Sequence, residues 1–218
     1  MKNVVLVLVL VLIGGLANAQ VKKGTFVMTP EIHDAMIARA KAPKPEYSFK
    51  IKGNEKTFYF KDITPIIDSI SKINSDTVRA RFVKCLNVYR DSKGLCPVIL
   101  NSNMNAAADY IVKYNTKIDG LSHITNVKGY ETFNNRLTEF SNFIIGLSGE
   151  TLFKDESLLF TAADMFENHI SYEQAILNTW IKSPAHNKIL LIKSVNVVGF
   201  SIIDRTYGMI VIDKMGAK

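Results

Sequence analysis

Along the chain, apolar positions alternate between helical and strand spacing, and the breaks between them fall at Gly, Pro and Asn. "PEIHDAMIARAKA" puts Ile32, Met36 and Ile37 on one helical face, with Pro30 suited to a first turn. "YSFKIKGNEKTFYF" alternates on both sides of Gly53-Asn54, as a hairpin does, and "ITPIIDSISKI" returns to helical spacing. A helix is expected from Ser75 or Asp76, as cap, through Val78, Phe82, Leu86 and Tyr89. "DSKGLCP" ends it, with Gly94 as the stop and Pro97 beyond. After a short extended "VIL", capped by Asn101 or Ser102, comes the strongest amphipathic pattern: Met104, Ala107, Ala108, Ile111 and Val112.

From 117 to 152 the text is polar and irregular, with Gly120, Gly129, Gly146 and Gly149, and reads as loop. Helical spacing resumes from Ser171 to Ile181, and "VNVVGFSII", "DRTYG" and "MIVID" read as an antiparallel hairpin. Helices with strands gathered late imply an α+β fold with helices packed on a sheet.

The first residues change the picture of where this fold operates. "MKNVVLVLVLVLIGGLANAQ" has the three parts of a cleavable secretory signal, with the cut after Ala19. Its apolar run is shorter than the roughly 20 residues of a spanning helix, so no transmembrane segment is expected after cleavage. The organisation expected is therefore a signal over 1–19, an N-terminal extension over 20–75 with a hairpin, and a main domain over 76–218, secreted or periplasmic. The chain carries 27 basic and 20 acidic residues, net +7. The lysines are spread out, without the basic and aromatic interleaving of a nucleic-acid groove, so no nucleic-acid partner is expected. An anionic envelope surface would attract such a charge weakly. Cys85 and Cys96 would persist as a disulfide in an oxidising compartment; the alternative is two separate buried thiols.

The candidate chemistry begins at "TWIKSPAHNKILL". Ser183 suits an N-cap and Pro184 the first helical position, which places His186 in the first turn. There the helix dipole disfavours an imidazolium and favours a neutral ring that accepts a hydrogen bond or binds a metal. At roughly 100° per residue, Glu173 lies about 20° from Trp180, in the middle of an apolar face. A carboxylate pointing inward needs a partner, unless it bends out to water at the helix start. His123 in "GLSHITN" and Glu150 in "LSGET" complete a set of two histidines and two glutamates, suited to a divalent metal or to a polar hydrogen-bonded cluster.

"CLNVYRDSKGLCPVILNSNMNAAADYIVKY", "LSH", "GYETFNNRL", "GE", "AILNTWIKSPAHNKILL" and "VGFSI", in that order, resemble the CAP superfamily of cysteine-rich secretory, antigen 5 and pathogenesis-related proteins, in its bacterial single-domain form. The resemblance runs from about Asp76 to Asp213. It implies a three-layer α-β-α sandwich around a central antiparallel sheet, and a cleft of two histidines and two acids. His123 and His186 match the family's histidines and Glu150 its first acid. Glu173 stands seven residues before Trp180, off the family's usual spacing for the second acid. The resemblance implies a secreted binding module whose cleft, formed by His123, Glu150, Glu173 and His186, takes a small ligand, lipid or peptide. His123 and His186 would then hold a divalent metal such as zinc as cofactor. The alternatives are a metal-assisted hydrolase acting on extracellular peptide or envelope material, and a non-catalytic structural or interaction protein. No serine or cysteine stands out as a nucleophile; Ser122 only adjoins His123.

Overall fold

The computed structural model describes residues 48–50, 56–155 and 158–217, all within one compact unit, Glu46–Lys218. The expected signal segment, the helix over 30–42 and the turn at Gly53-Asn54 lie outside the described residues. The hairpin's strands, β1 (Ser48–Lys50) and β2 (Thr57–Tyr59), pair antiparallel with Ser48 opposite Tyr59. Helix α1 (Phe60–Ile70) follows directly. Phe58, Ile63 and Ile70 are buried in the same apolar cluster as Phe82 and Trp180, so this part of the extension packs into the main core.

Helix α2 (Ser75–Asp91) buries Val78, Phe82 and Leu86 as its spacing predicts. Its cap is Asn74 rather than Ser75 or Asp76: the Asn74 side chain accepts from the amides of Asp76 and Thr77. Gly94, at φ +68°, sits two residues past the C-cap Ser92. After β3 (Ile99–Leu100), helix α3 (Ser102–Lys117) is capped by Asn101 and buries all five residues of the predicted face.

The stretch read as loop from 117 to 152 is irregular over 118–132, but its second half is regular structure. Helix α4 (Phe133–Phe140) starts at a capping box, in which Thr132 and Asn135 satisfy each other's backbone amides. Strand β4 (Phe143–Lys154) then runs for twelve residues. Two register shifts between Ile144 and Ser148, together with Gly146 and Gly149, hide its alternation in the sequence. Helix α5 (Leu159–Asn168), which the pattern does not announce, precedes α6 (Tyr172–Ile181), α7 (Pro184–Leu190) and the hairpin of β5 (Val197–Ile203) and β6 (Thr206–Ala217).

The main sheet has the order β3-β5-β6-β4. Its long pairs are antiparallel as expected, but β3 runs parallel to β5, so the sheet is mixed. Alternate residues of β5 and β6 feed two faces. Val198, Phe200, Tyr207, Met209 and Val211 join the cluster with Phe82 and Trp180, whereas Val197, Ile210 and Ile212 pack on Met104, Ala107 and Leu137. This is an α+β three-layer arrangement, with the sheet between α3–α4 and the remaining helices. Gly199 permits the closest contact of the layers: a Cβ there would lie 2.1 Å from the Met104 backbone.

Two residues of "CLNVYR" fix α2 to its neighbours. Asn87 donates to Val98 O and accepts from Val98 N. Arg90 is fully buried and donates to the carbonyls of Cys96, Leu190, Ile192 and Val195. It thereby anchors the C-terminal end of α7, the helix that carries His186.

The disulfide expected between Cys85 and Cys96 is not formed. Both are free, Cys85 half-buried on α2 and Cys96 exposed, so only Cys85 fits even the alternative of buried thiols. Burial and the nearby Glu173 raise the Cys85 pKa.

Candidate functional site

Two of the four candidate residues, His123 and Glu150, meet at β4, the outer strand of the sheet, and a third, His186, lies on the helix packed against that strand. Glu150 shares its parity with Leu152, which packs on Ile111 and Val112 of α3, so Glu150 faces the α3–α4 layer. Gly149, the neighbouring residue, faces the other way. A Cβ there would lie 2.7 Å from the Ile189 side chain, so glycine is what lets α7 lie close on the strand. That close approach carries the first turn of α7, with His186, to the strand that presents Glu150.

Glu150 is 6% exposed and held on two sides. Arg136 of α4, fully buried, donates through Nη2 to both carboxylate oxygens at 2.8 and 2.9 Å. His123 Nδ1 lies 2.8 Å from Glu150 Oε1. Opposite an arginine the carboxylate acts as acceptor, so Nδ1 is the donor and Nε2 takes no part in the bond to Glu150. Arg136 also donates to the carbonyls of His123 and Tyr130, and so fixes the loop as well as the acid. The His123 side chain is 53% exposed, at the mouth of the site.

His186 occupies the predicted third position of α7, behind Ser183 and Pro184. The Ser183 side chain makes no capping hydrogen bond; its backbone carbonyl accepts from Asn187. The His186 pKa is lowered, first by burial and then by His123. The two imidazoles are thus within electrostatic reach of each other, and His186 is held neutral at pH 7.

Glu173 does not join this group. It points inward, as its helical angle predicts, and is 2% exposed, but it faces α2. Arg81 Nη1 is 3.9 Å from its Oε1, an oxygen with no hydrogen-bond partner among the described residues, and Cys85 feels its charge. The fourth member of the cluster is instead Arg136, which the sequence reading passed over. Its signal was its place beside buried Leu137 in a short capped helix, where an arginine must find acceptors.

The donors for a metal are correspondingly few. His123 Nε2 and His186 are the available ligands, while both oxygens of Glu150 are engaged by Arg136 and His123. Among the described residues no group of three or more His, Cys, Asp or Glu side chains could hold an ion. Zinc takes three protein ligands in catalytic sites and four in structural ones, so this donor set falls short of a resident zinc site. Ser122 is no better placed as a nucleophile: its hydroxyl donates to Ile124 O, and its backbone is clasped by the Asn115 side chain.

No family model matches the chain, and no curated protein matches it. Solved structures do. An extracellular protein containing an SCP domain from Bacillus anthracis matches with a TM-score of 0.53 at 19% identity, over 64% of this chain and 41% of that one. The present chain thus spans less than half the length of that protein. A cysteine-rich secretory protein from Staphylococcus aureus matches with a TM-score of 0.50 at 14% identity, over 84% of this chain and 70% of that one. The chain shares the fold of these two proteins, a fold of the kind its sequence motifs lead one to expect.

Proposed function

We propose that the protein is an exported CAP-fold binding module whose cleft takes a small ligand between His123 and His186. One observation carries this reading: the Arg136–Glu150–His123 chain of hydrogen bonds fixes one half-exposed imidazole with its outer nitrogen outside that chain. The hydrogen bond made by one ring nitrogen sets the role of the other, so the Glu150 contact fixes how the outer nitrogen is presented. His186, kept neutral by burial, adds a second group able to donate or accept. Because Glu150 and Arg136 cancel in charge, the cleft favours a neutral hydrogen-bonding head group over a strong ion. Export is supported by the secretory pattern of the first nineteen residues and by the extracellular source of the Bacillus protein of like fold. Among the described residues no helix is long and apolar enough to cross a membrane.

The test is native mass spectrometry of protein purified from its secreted fraction, comparing wild type with His123→Ala and His186→Ala. The reading expects a small-molecule adduct in wild type that both variants lose while keeping their thermal midpoint. Loss of stability with an unchanged adduct pattern would assign the cluster a structural role instead. Turnover of peptide or ester substrates by wild type, absent in His123→Ala, would favour the hydrolase reading.

A further inference from the structure

The loop that carries His123 turns its apolar side chains outward. At every third position from 118 to 127 stands an exposed apolar residue: Ile118 at 48%, Leu121 at 52%, Ile124 at 65% and Val127 at 40%. The backbone beneath them is held firmly. Asn115 of α3 donates to Ser122 O and accepts from Ser122 N. Thr125 N donates to Glu131 O, and Tyr130 N to Val127 O. Lys154 Nζ pairs with Asp119 at 2.6 Å and donates to its carbonyl. A loop so fixed presents its apolar residues rather than exposing them by slackness, and such presentation marks an interaction surface.

On the loop and the end of α3 that leads into it, lysines outnumber the unpaired acids. Lys113 and Lys117, four apart on α3, and Lys128 in the loop are exposed, and none forms an ion pair with another described residue. The one acid among the loop's exposed residues, Asp119, is neutralised by Lys154, and Glu131 accepts from Gly129 N at the loop's far end. Lysines are depleted in protein–protein interfaces, whereas apolar side chains rimmed by lysines suit a bilayer of anionic lipids.

We propose that the 118–128 loop docks the protein on an anionic lipid bilayer, with Leu121 and Ile124 at the acyl boundary and the three lysines among the headgroups. The proposal does not depend on what the cleft binds. At the usual strength of a lysine near an anionic surface, neutralising Lys117 and Lys128 together weakens docking about 30-fold.

The test uses the full chain with Leu121→Trp, whose fluorescence reports the loop against the fully buried Trp180. Its emission should shift to shorter wavelength with vesicles of equal phosphatidylcholine and phosphatidylglycerol. The shift should vanish with phosphatidylcholine alone and at about 1 M salt, where the screening length falls to about 3 Å, and should need about 30-fold more anionic lipid in the Lys117→Gln/Lys128→Gln background. Ile124→Trp serves as a second reporter should Leu121→Trp fail to fold. An unshifted emission on anionic vesicles, an equal shift on phosphatidylcholine alone, or a lipid-free shift that grows with protein concentration would each overturn the proposal; the last would point to a second copy of the chain as the occupant.

Discussion

Arg136→Met removes the guanidinium that holds Glu150 and keeps most of the apolar stem. Glu150, whose side chain is 2% exposed, then loses its arginine partner, and the His123 and Tyr130 carbonyls lose a donor. Removing one partner of a buried ion pair costs about 3–5 kcal/mol, because the other charge is stranded. The carbonyls belong to an accessible loop where water can replace the donor, so they add little. For a chain of this size, about 2–4 °C per kcal/mol puts the loss of thermal midpoint at about 6–20 °C. Glu150→Gln completes a double-mutant cycle. The two single losses should exceed the double loss by about 0.5–3 kcal/mol, since the second substitution removes the charge the first one strands. Urea denaturation followed by circular dichroism measures all four corners. A loss below about 1 kcal/mol in Arg136→Met, or strict additivity in the cycle, would refute the account of a buried pair holding the site.

Other substitutions probe the packing and the protonation states. Gly199→Ala forces a Cβ against the Met104 backbone and should destabilise by about 3 kcal/mol or more; a midpoint within 2 °C of wild type contradicts the observed contact of α3 with β5. Gly149→Ala should push Ile189 and α7 off β4 at a cost of about 1–3 kcal/mol, and should disturb the His186 ring resonances in NMR, which a purely local cavity adjustment would leave in place. The folded-state pKa of His186 lies below the ordinary imidazole value of about 6.5, so the unfolded chain binds the proton first. Stability should therefore be lost as pH falls below about 6.5, and His186→Asn should flatten that slope; identical pH–stability curves would contradict it. Thiol labelling should modify exposed Cys96 in the native protein and Cys85 only slowly, because burial and Glu173 keep its thiolate scarce; equal rates would contradict the environment described.

The parts of the fold that were legible are those where one physical signal dominates. Helix α3 shows an uninterrupted 3.6-residue apolar stripe, and the β5–β6 hairpin shows two apolar runs around a polar turn, so both follow from pattern alone. Strand β4 was read as loop because the features that give it its role conceal it: Gly149 is needed for the approach of α7, and the register shifts near Gly146 break the alternation. Helix α5 has left-handed residues at both ends, Leu158 and His169, in place of the polar cap that announces a helix start. In the site, His186 was placed by Ser183-Pro184, and His123 and Glu150 by motif order. For Glu173 the helical angle left an inward position or a bend out to water; the side chain is buried, and an angle gives the face and not the neighbour, which is α2. Arg136 was missed because its acceptors are a strand residue fourteen positions away and two loop carbonyls, contacts that only the tertiary fold creates.

The central claim is that His123 and His186 share one cleft, and an NMR titration of the histidine ring protons in wild type and His123→Ala tests it most directly. The account predicts that His186 titrates below about 6.5 in wild type and at a higher pH once His123 and its charge are removed. A His186 titration that is superimposable in the two proteins would mean that the imidazoles do not sense each other, and the shared site would be lost.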